Sequence, residues 1–200
     1  MEMKKTPKLY SLFEYYTALV KGSRSVGNLR RNRKNEIISQ EFVERLMLAV
    51  TEVNGCSVCA YGHTQMALNQ GFTQAEISSF LSGNNEYILP EEAKAILFAQ
   101  HYADTKGKVD RTSYNEILVT YGEKKTEVII AAIQMMMIGN IAGLSISAFQ
   151  RRIHGNKDVG SHLSHELGIP LSTLIILWPA ILQGGLENLQ KMPILLFTTD

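Results

Sequence analysis

The sequence predicts an all-α protein of about seven to nine helices. Three observations carry that expectation. Apolar residues recur at i, i+3 and i+4 over most of the 200 residues. No sustained period-two alternation flanked by turn dipeptides occurs anywhere. Of the five prolines, four lie outside the middle of the chain, which leaves long uninterrupted stretches for helices.

A chain of this length suggests a single domain spanning 1–200, large enough to bury a core. Hydrophobic content of 45% and charged content of 20% are ordinary for a soluble globular protein. A net charge of +1, with no acidic or basic tail, argues against a dedicated nucleic-acid binder. Met1–Pro7 is charged and lacks an apolar h-region, so no signal peptide is read there. The most apolar later run, Leu171–Leu182, contains Pro179 and reads as too short to span a bilayer. The expectation is a cytoplasmic protein with no membrane and no nucleic-acid partner.

Leu9, Leu12, Phe13, Tyr16, Leu19 and Val20 mark a first helix over Leu9–Val20. Gly22–Asn35 breaks that pattern with Gly, Ser and Asn and carries Arg24, Arg30, Arg31, Arg33 and Lys34. In a near-neutral chain this reads as a solvated loop and helix start rather than an anion site. Glu36–Val53 is strongly amphipathic through Ile37, Ile38, Phe42, Val43, Leu46, Met47, Val50 and Val53. The next helix runs from a cysteine-bearing stretch to Gln70 and stops at Gly71. Thr73, with Glu76 three residues on, forms a capping box for Gln74–Leu81. Pro90 opens a helix over Glu91–Tyr102. Thr112–Tyr121 is closed by Gly122, and Glu123–Gln150 is the longest helix. Its run Met135–Met137 reads as core filler. After a Gly155–Gly160 loop, Ser161–Asp200 mixes a short helical pattern with an apolar run. The contiguous apolar surface around Trp178 predicts an interface and hence a homo-oligomer.

The chemistry concentrates in Asn54-Gly55-Cys56-Ser57-Val58-Cys59-Ala60-Tyr61-Gly62-His63, which holds both cysteines. On a helix, Cys56 and Cys59 are i,i+3 neighbours and Cys59 and His63 are i,i+4 neighbours. Asn54 is the candidate N-cap. The helix start would then favour a thiolate, and His63 one turn on could take the thiol proton. These are the parts of a dithiol redox centre. Two other readings stay open. One is half of a tetrahedral zinc site completed by His162 and His165, whose spacing is tighter than usual and which has no second C-x-x-C. The other is a pair of buried structural cysteines. No cofactor is called for by any motif.

The run Glu44-Arg45-Leu46-Met47-Leu48-Ala49-Val50-Thr51-Glu52-Val53 leading into Asn54–His63 resembles the core of the carboxymuconolactone decarboxylase superfamily, and more narrowly its alkylhydroperoxidase D-like branch. That branch carries a glutamate twelve residues before a C-x-x-C and a histidine four after the second cysteine, and all four positions match. The resemblance extends over about residues 36–150, with residues 1–35 and 151–200 outside it. It implies a helical bundle of the alkylhydroperoxidase D-like type and reduction of hydroperoxides. It assigns Cys59 as peroxidatic, Cys56 as resolving, and Glu44 and His63 as the proton relay. By periodicity Glu44 sits at the edge of the apolar stripe. Periodicity alone does not choose it over Glu41 or Glu52, which read as solvated; the family spacing does. The best-known member has a further histidine where Val58 stands here, so the relay and the reductant need not be the same. The implied partners are a hydroperoxide and a dithiol reductant, lipoylated or thioredoxin-like. The alternative is a non-catalytic redox sensor or metal-binding protein of the same fold.

Overall fold

The computed structural model describes residues 8–84, 86–158, 160–195 and 197. The reading of Met1–Pro7 falls outside them. The described residues form seven helices and no strand: α1 (Leu12–Asn35), α2 (Gln40–Asn54), α3 (Ser57–Asn69), α4 (Gln74–Ser82), α5 (Ala93–Asp104), α6 (Arg111–Ile153) and α7 (Leu163–Leu189). The all-α expectation holds. A single isolated bridge joins Val109 to Phe197.

α6 is the axis of the fold, packing against α1, α2, α3, α5 and α7. Its stretch from Val128 through Ile133, with Met136, Met137, Ile141 and Leu144, is buried in the common core. The break expected at Gly122 is present as a kink, with φ 72° and ψ 165°. Across it, the Thr126 hydroxyl donates to the Ile117 carbonyl at 3.2 Å. The capping box at Thr73 and Glu76 is also present. Pro90, by contrast, lies before the helix it was expected to open. α5 begins at Ala93, and Glu92 caps it without a side-chain bond. The Glu92 carboxylate is instead gripped by Arg45 at 2.6 and 2.7 Å inside the core.

Three segments differ from the pattern reading, each for a tertiary reason. Gly22–Asn35 is no loop, because α1 runs unbroken through it. A Cβ at Gly22 would come 2.3 Å from Ile138 Cδ1, so the glycine lets α1 approach α6 closely. The helix ends at Glu36, in the left-handed region at φ 47°. Glu36 therefore closes α1 rather than opening α2, which starts after the Ser39 cap. Of the basic residues in this segment, Arg24 is not solvated. Its Nη1 donates to Glu187 Oε2 at 2.8 Å and its Nε to Asn188 Oδ1 at 3.0 Å, tying α1 to the end of α7. Arg30, Arg31, Arg33 and Lys34 are exposed as expected.

The C-terminal region is one helix of 27 residues with Pro170 and Pro179 inside it. Each proline removes a backbone donor, so packing must hold the helix together. α7 docks along α1 and α6. A Cβ at Gly184 would fall 2.1 Å from Ser23 Oγ, so here too a glycine admits the partner helix. The argument that Leu171–Leu182 is too short for a bilayer does not stand, since it belongs to this longer helix. By length and composition both α6 and α7 could cross a membrane; the relevant windows are 72% buried in α6 and 17% in α7. Leu171, Leu174, Ile175, Trp178, Leu182 and Leu186 leave an apolar face of α7 uncovered.

Candidate functional site

The site forms where α2 turns into α3. Gly55, at φ 70°, ends α2, and its N–H donates to Thr51 O at 2.9 Å. A left-handed residue there favours glycine. Asn54 is consequently the last residue of α2 and not the cap of α3. It is buried, accepting from Tyr10 OH at 2.6 Å and donating to Met137 Sδ at 3.4 Å. The cap of α3 is Cys56 itself, whose Sγ accepts from the Cys59 N–H at 3.3 Å. Both cysteines thus lie in the first turn of α3, where unpaired N–H groups and the helix dipole favour negative charge on sulfur.

Cys56 and Cys59 are joined as a disulfide, with their Cα atoms 5.3 Å apart. Their environments differ. Cys56 is 1% exposed, whereas Cys59 is half-buried and opens onto a cleft. The pair lies against α6 at Gly143, where an added Cβ would come 2.6 Å from both sulfurs. One turn earlier, the Gly139 carbonyl oxygen is 3.5 Å from Cys59 Sγ, an acceptor for the thiol once it is reduced.

His63 is one turn along α3 from Cys59 and lines the same cleft. Its Nδ1 is 2.6 Å from Glu44 Oε1 across the α2–α3 interface. Glu44 is 4% exposed, so the carboxylate that periodicity left at the edge of the stripe is inside. Glu41 is exposed, as expected of a solvated face. Glu52, read the same way, is instead buried, and its carboxylate crowds Gly83, where a Cβ would be 2.9 Å from Oε1. The carboxylate orients His63 through Nδ1, so Nε2 is the ring nitrogen that Glu44 does not engage.

The cleft, of about 420 Å³, is walled by Met47, Met66, Met135 and Met136 beside Cys59 and His63. Met136 and Met137 are buried as expected, but Met135 is only partly buried, and Met135 and Met136 both line the cleft. Gly139, Gly143 and Met66 were not singled out from the sequence. The i,i+4 pair of glycines in a long helix was the available signal. Val58 is 41% exposed and forms no part of the cleft wall. His162 caps α7, and the His165 ring nitrogen Nε2 contacts the Tyr10 carbonyl. Among the described residues they do not join the cysteines in a cluster of three or more metal-ligating side chains, so the zinc completion is not assembled.

An all-helical bundle carrying a C-x-x-C disulfide at a helix start, backed by a half-buried imidazole on a buried carboxylate, defines a dithiol/disulfide protein. The sequence model of the carboxymuconolactone decarboxylase family matches residues 14–101. Under half of the chain is thus similar to the carboxymuconolactone decarboxylase family, and the all-helical fold and the alkylhydroperoxidase D-like branch are consistent with that match. The match begins inside α1, so the family likeness is not confined to residues beyond 35. The chain is also 25% identical over 113 residues to an uncharacterized protein, YdfG, of Bacillus subtilis strain 168, covering 56% of this chain and 77% of the relative. No solved structure matches.

Proposed function

We propose that the protein is a thiol-dependent peroxidase that reduces hydroperoxides through the Cys56–Cys59 dithiol. The observation that carries this reading is the convergence of Cys59 and His63 on one cleft with Glu44 held behind His63. In the reduced protein, His63 takes the Cys59 proton, and Glu44 stabilises the resulting imidazolium. The Cys59 thiolate attacks the distal peroxide oxygen. An S–O bond forms, the O–O bond breaks, and the alcohol leaves with the proton from His63. Cys59 is now a sulfenic acid. The Cys56 sulfur attacks it, the disulfide forms and water leaves. An external dithiol, lipoylated or thioredoxin-like, then supplies two electrons and two protons to restore both thiols.

The exposure of Cys59 and the burial of Cys56 support the assignment of the two roles. A peroxide reaches the first sulfur, whereas a resolving thiol needs only intramolecular access. We read the protein as soluble and cytoplasmic, with the uncovered face of α7 meeting a second copy of the chain.

The test is turnover of cumene hydroperoxide with dihydrolipoamide as donor, together with dimedone trapping. Cys56→Ser should accumulate a sulfenic acid on Cys59 without turning over, and Cys59→Ser should form little at either position. Wild-type oxidation that stops at one equivalent in the presence of excess donor would favour a redox sensor. A dimedone adduct on Cys56 in Cys59→Ser at the wild-type rate would reverse the two roles.

A further inference from the structure

A second cavity, of about 230 Å³, lies between α1, the α5–α6 connection and α6, and none of its lining residues belongs to the dithiol cleft. Phe13, Ala18, Met137 and Ile141 supply apolar wall, and Tyr10 and Tyr102 supply aromatic rings. Two features set it apart from an unfilled packing gap. The first is Lys21, which lines the cavity and is largely buried. Its Nζ donates to the Gly107 carbonyl at 3.3 Å and stands 5.8 Å from the centre of the Tyr102 ring, and no carboxylate pairs with it among the described residues. Burial pulls its pKa below the ordinary lysine range, a penalty that a neighbouring anion would relieve. Glu14 also lines the cavity, but Lys106 neutralises it at 3.0 Å, so Lys21 leaves the wall with a surplus positive charge.

The second feature is Gln134, which is 1% exposed, with Oε1 unpartnered and Nε2 3.5 Å from Tyr102 OH. Turned over, the same amide would accept the Tyr102 hydroxyl proton and present N–H groups where the unpartnered atom now is. With the amide in that orientation, Lys21 and Gln134 flank one tyrosine as two donors beside an apolar cavity. Apolar walls with a few convergent polar groups are the ordinary make-up of a small-molecule site.

We propose that this cavity binds a small apolar carboxylate, its anionic end held by Lys21 and Gln134 beside Tyr102 and its hydrocarbon part against Phe13, Met137 and Ile141. The site is separate from the peroxide-reducing centre and does not depend on that reading.

The methionines allow the two cavities to be told apart. The full-length protein, with ¹³C-methyl methionine, is titrated with octanoate, octan-1-ol and octylamine and followed by NMR. Octanoate should shift the Met137 methyl saturably and leave Met47 and Met66 unmoved. Octylamine should bind at least tenfold more weakly. Lys21→Leu should weaken octanoate by about tenfold or more, the scale of a lost charge-assisted hydrogen bond, and change octan-1-ol by less than twofold. Absence of saturable binding, shifts confined to Met47 and Met66, octylamine binding as tightly as octanoate, or an unchanged octanoate affinity in Lys21→Leu would each overturn the proposal. The comparison of octanoate with octylamine needs no variant and decides the matter if Lys21→Leu fails to fold.

Discussion

His63 Nδ1 and Glu44 Oε1 lie 2.6 Å apart, although α2 and α3 run from opposite sides of the Gly55 turn to bring them together. The contact fixes which imidazole nitrogen faces the carboxylate. Glu44→Gln and His63→Phe should slow alkylation of the reduced Cys59 thiol by about 10²-fold or more at pH 7, within the range of general-base contributions. Both variants should keep their helical circular dichroism. Unchanged alkylation in both would make the pair a structural clasp.

Gly143 should matter to the oxidised state more than to the reduced one. A Cβ there meets both sulfurs at 2.6 Å, and separate thiols can rotate away where a disulfide cannot. Gly143→Ala should lower the melting temperature of the oxidised protein selectively, by an overpacking cost of about 1–3 kcal/mol. Sulfenic acid should still form at Cys59. Equal melting shifts in both redox states, measured side by side, would contradict this account.

Glu166 should make the α6–α7 joint acid-labile. Its carboxylate is fully buried, held by Arg152 at 2.5 and 2.7 Å and by the Ser161 hydroxyl at 2.7 Å. The Arg152 hydrogen bonds, with help from Ser161, hold its pKa down at about 2 against an ordinary 4.5. A depressed carboxylate stabilises the fold fully above the unfolded value, and that contribution is lost as pH falls from about 4.5 through about 2. Glu166→Gln should therefore destabilise the protein at pH 7 and make little difference at pH 2. Denaturant melts at the two pH values check this, and an equal loss at both would rule out the linkage.

The bare face of α7 should be covered in solution. Leu174 is 79% exposed and Trp178 68%, on a helix otherwise held to the fold through α1 and α6. Sedimentation at micromolar concentration should give a homo-oligomer, and Leu174→Glu should shift it toward the monomer. A monomeric mass for the wild-type protein would remove α7 as an interface.

Taken alone, the sequence was enough for the helical class, the Thr73–Glu76 capping box, the Gly122 break and the spacing that places Cys56, Cys59 and His63 along one face of a helix. These are local properties, set by periodicity, caps and backbone freedom over a few residues. The tertiary structure decided the rest. It carried α1 through Gly22 and α7 through Pro170 and Pro179, because docking onto α6 and α1 outweighs weak local propensity. It buried Glu44 and Glu52 on a helix where charge alone predicts solvent, with a histidine from α3 against the first and the Gly83 turn against the second. It also set Gly143 against the sulfurs from a helix more than eighty residues along the chain. Which side chains meet across such distances depends on how whole helices pack, and no pattern within one segment contains that information.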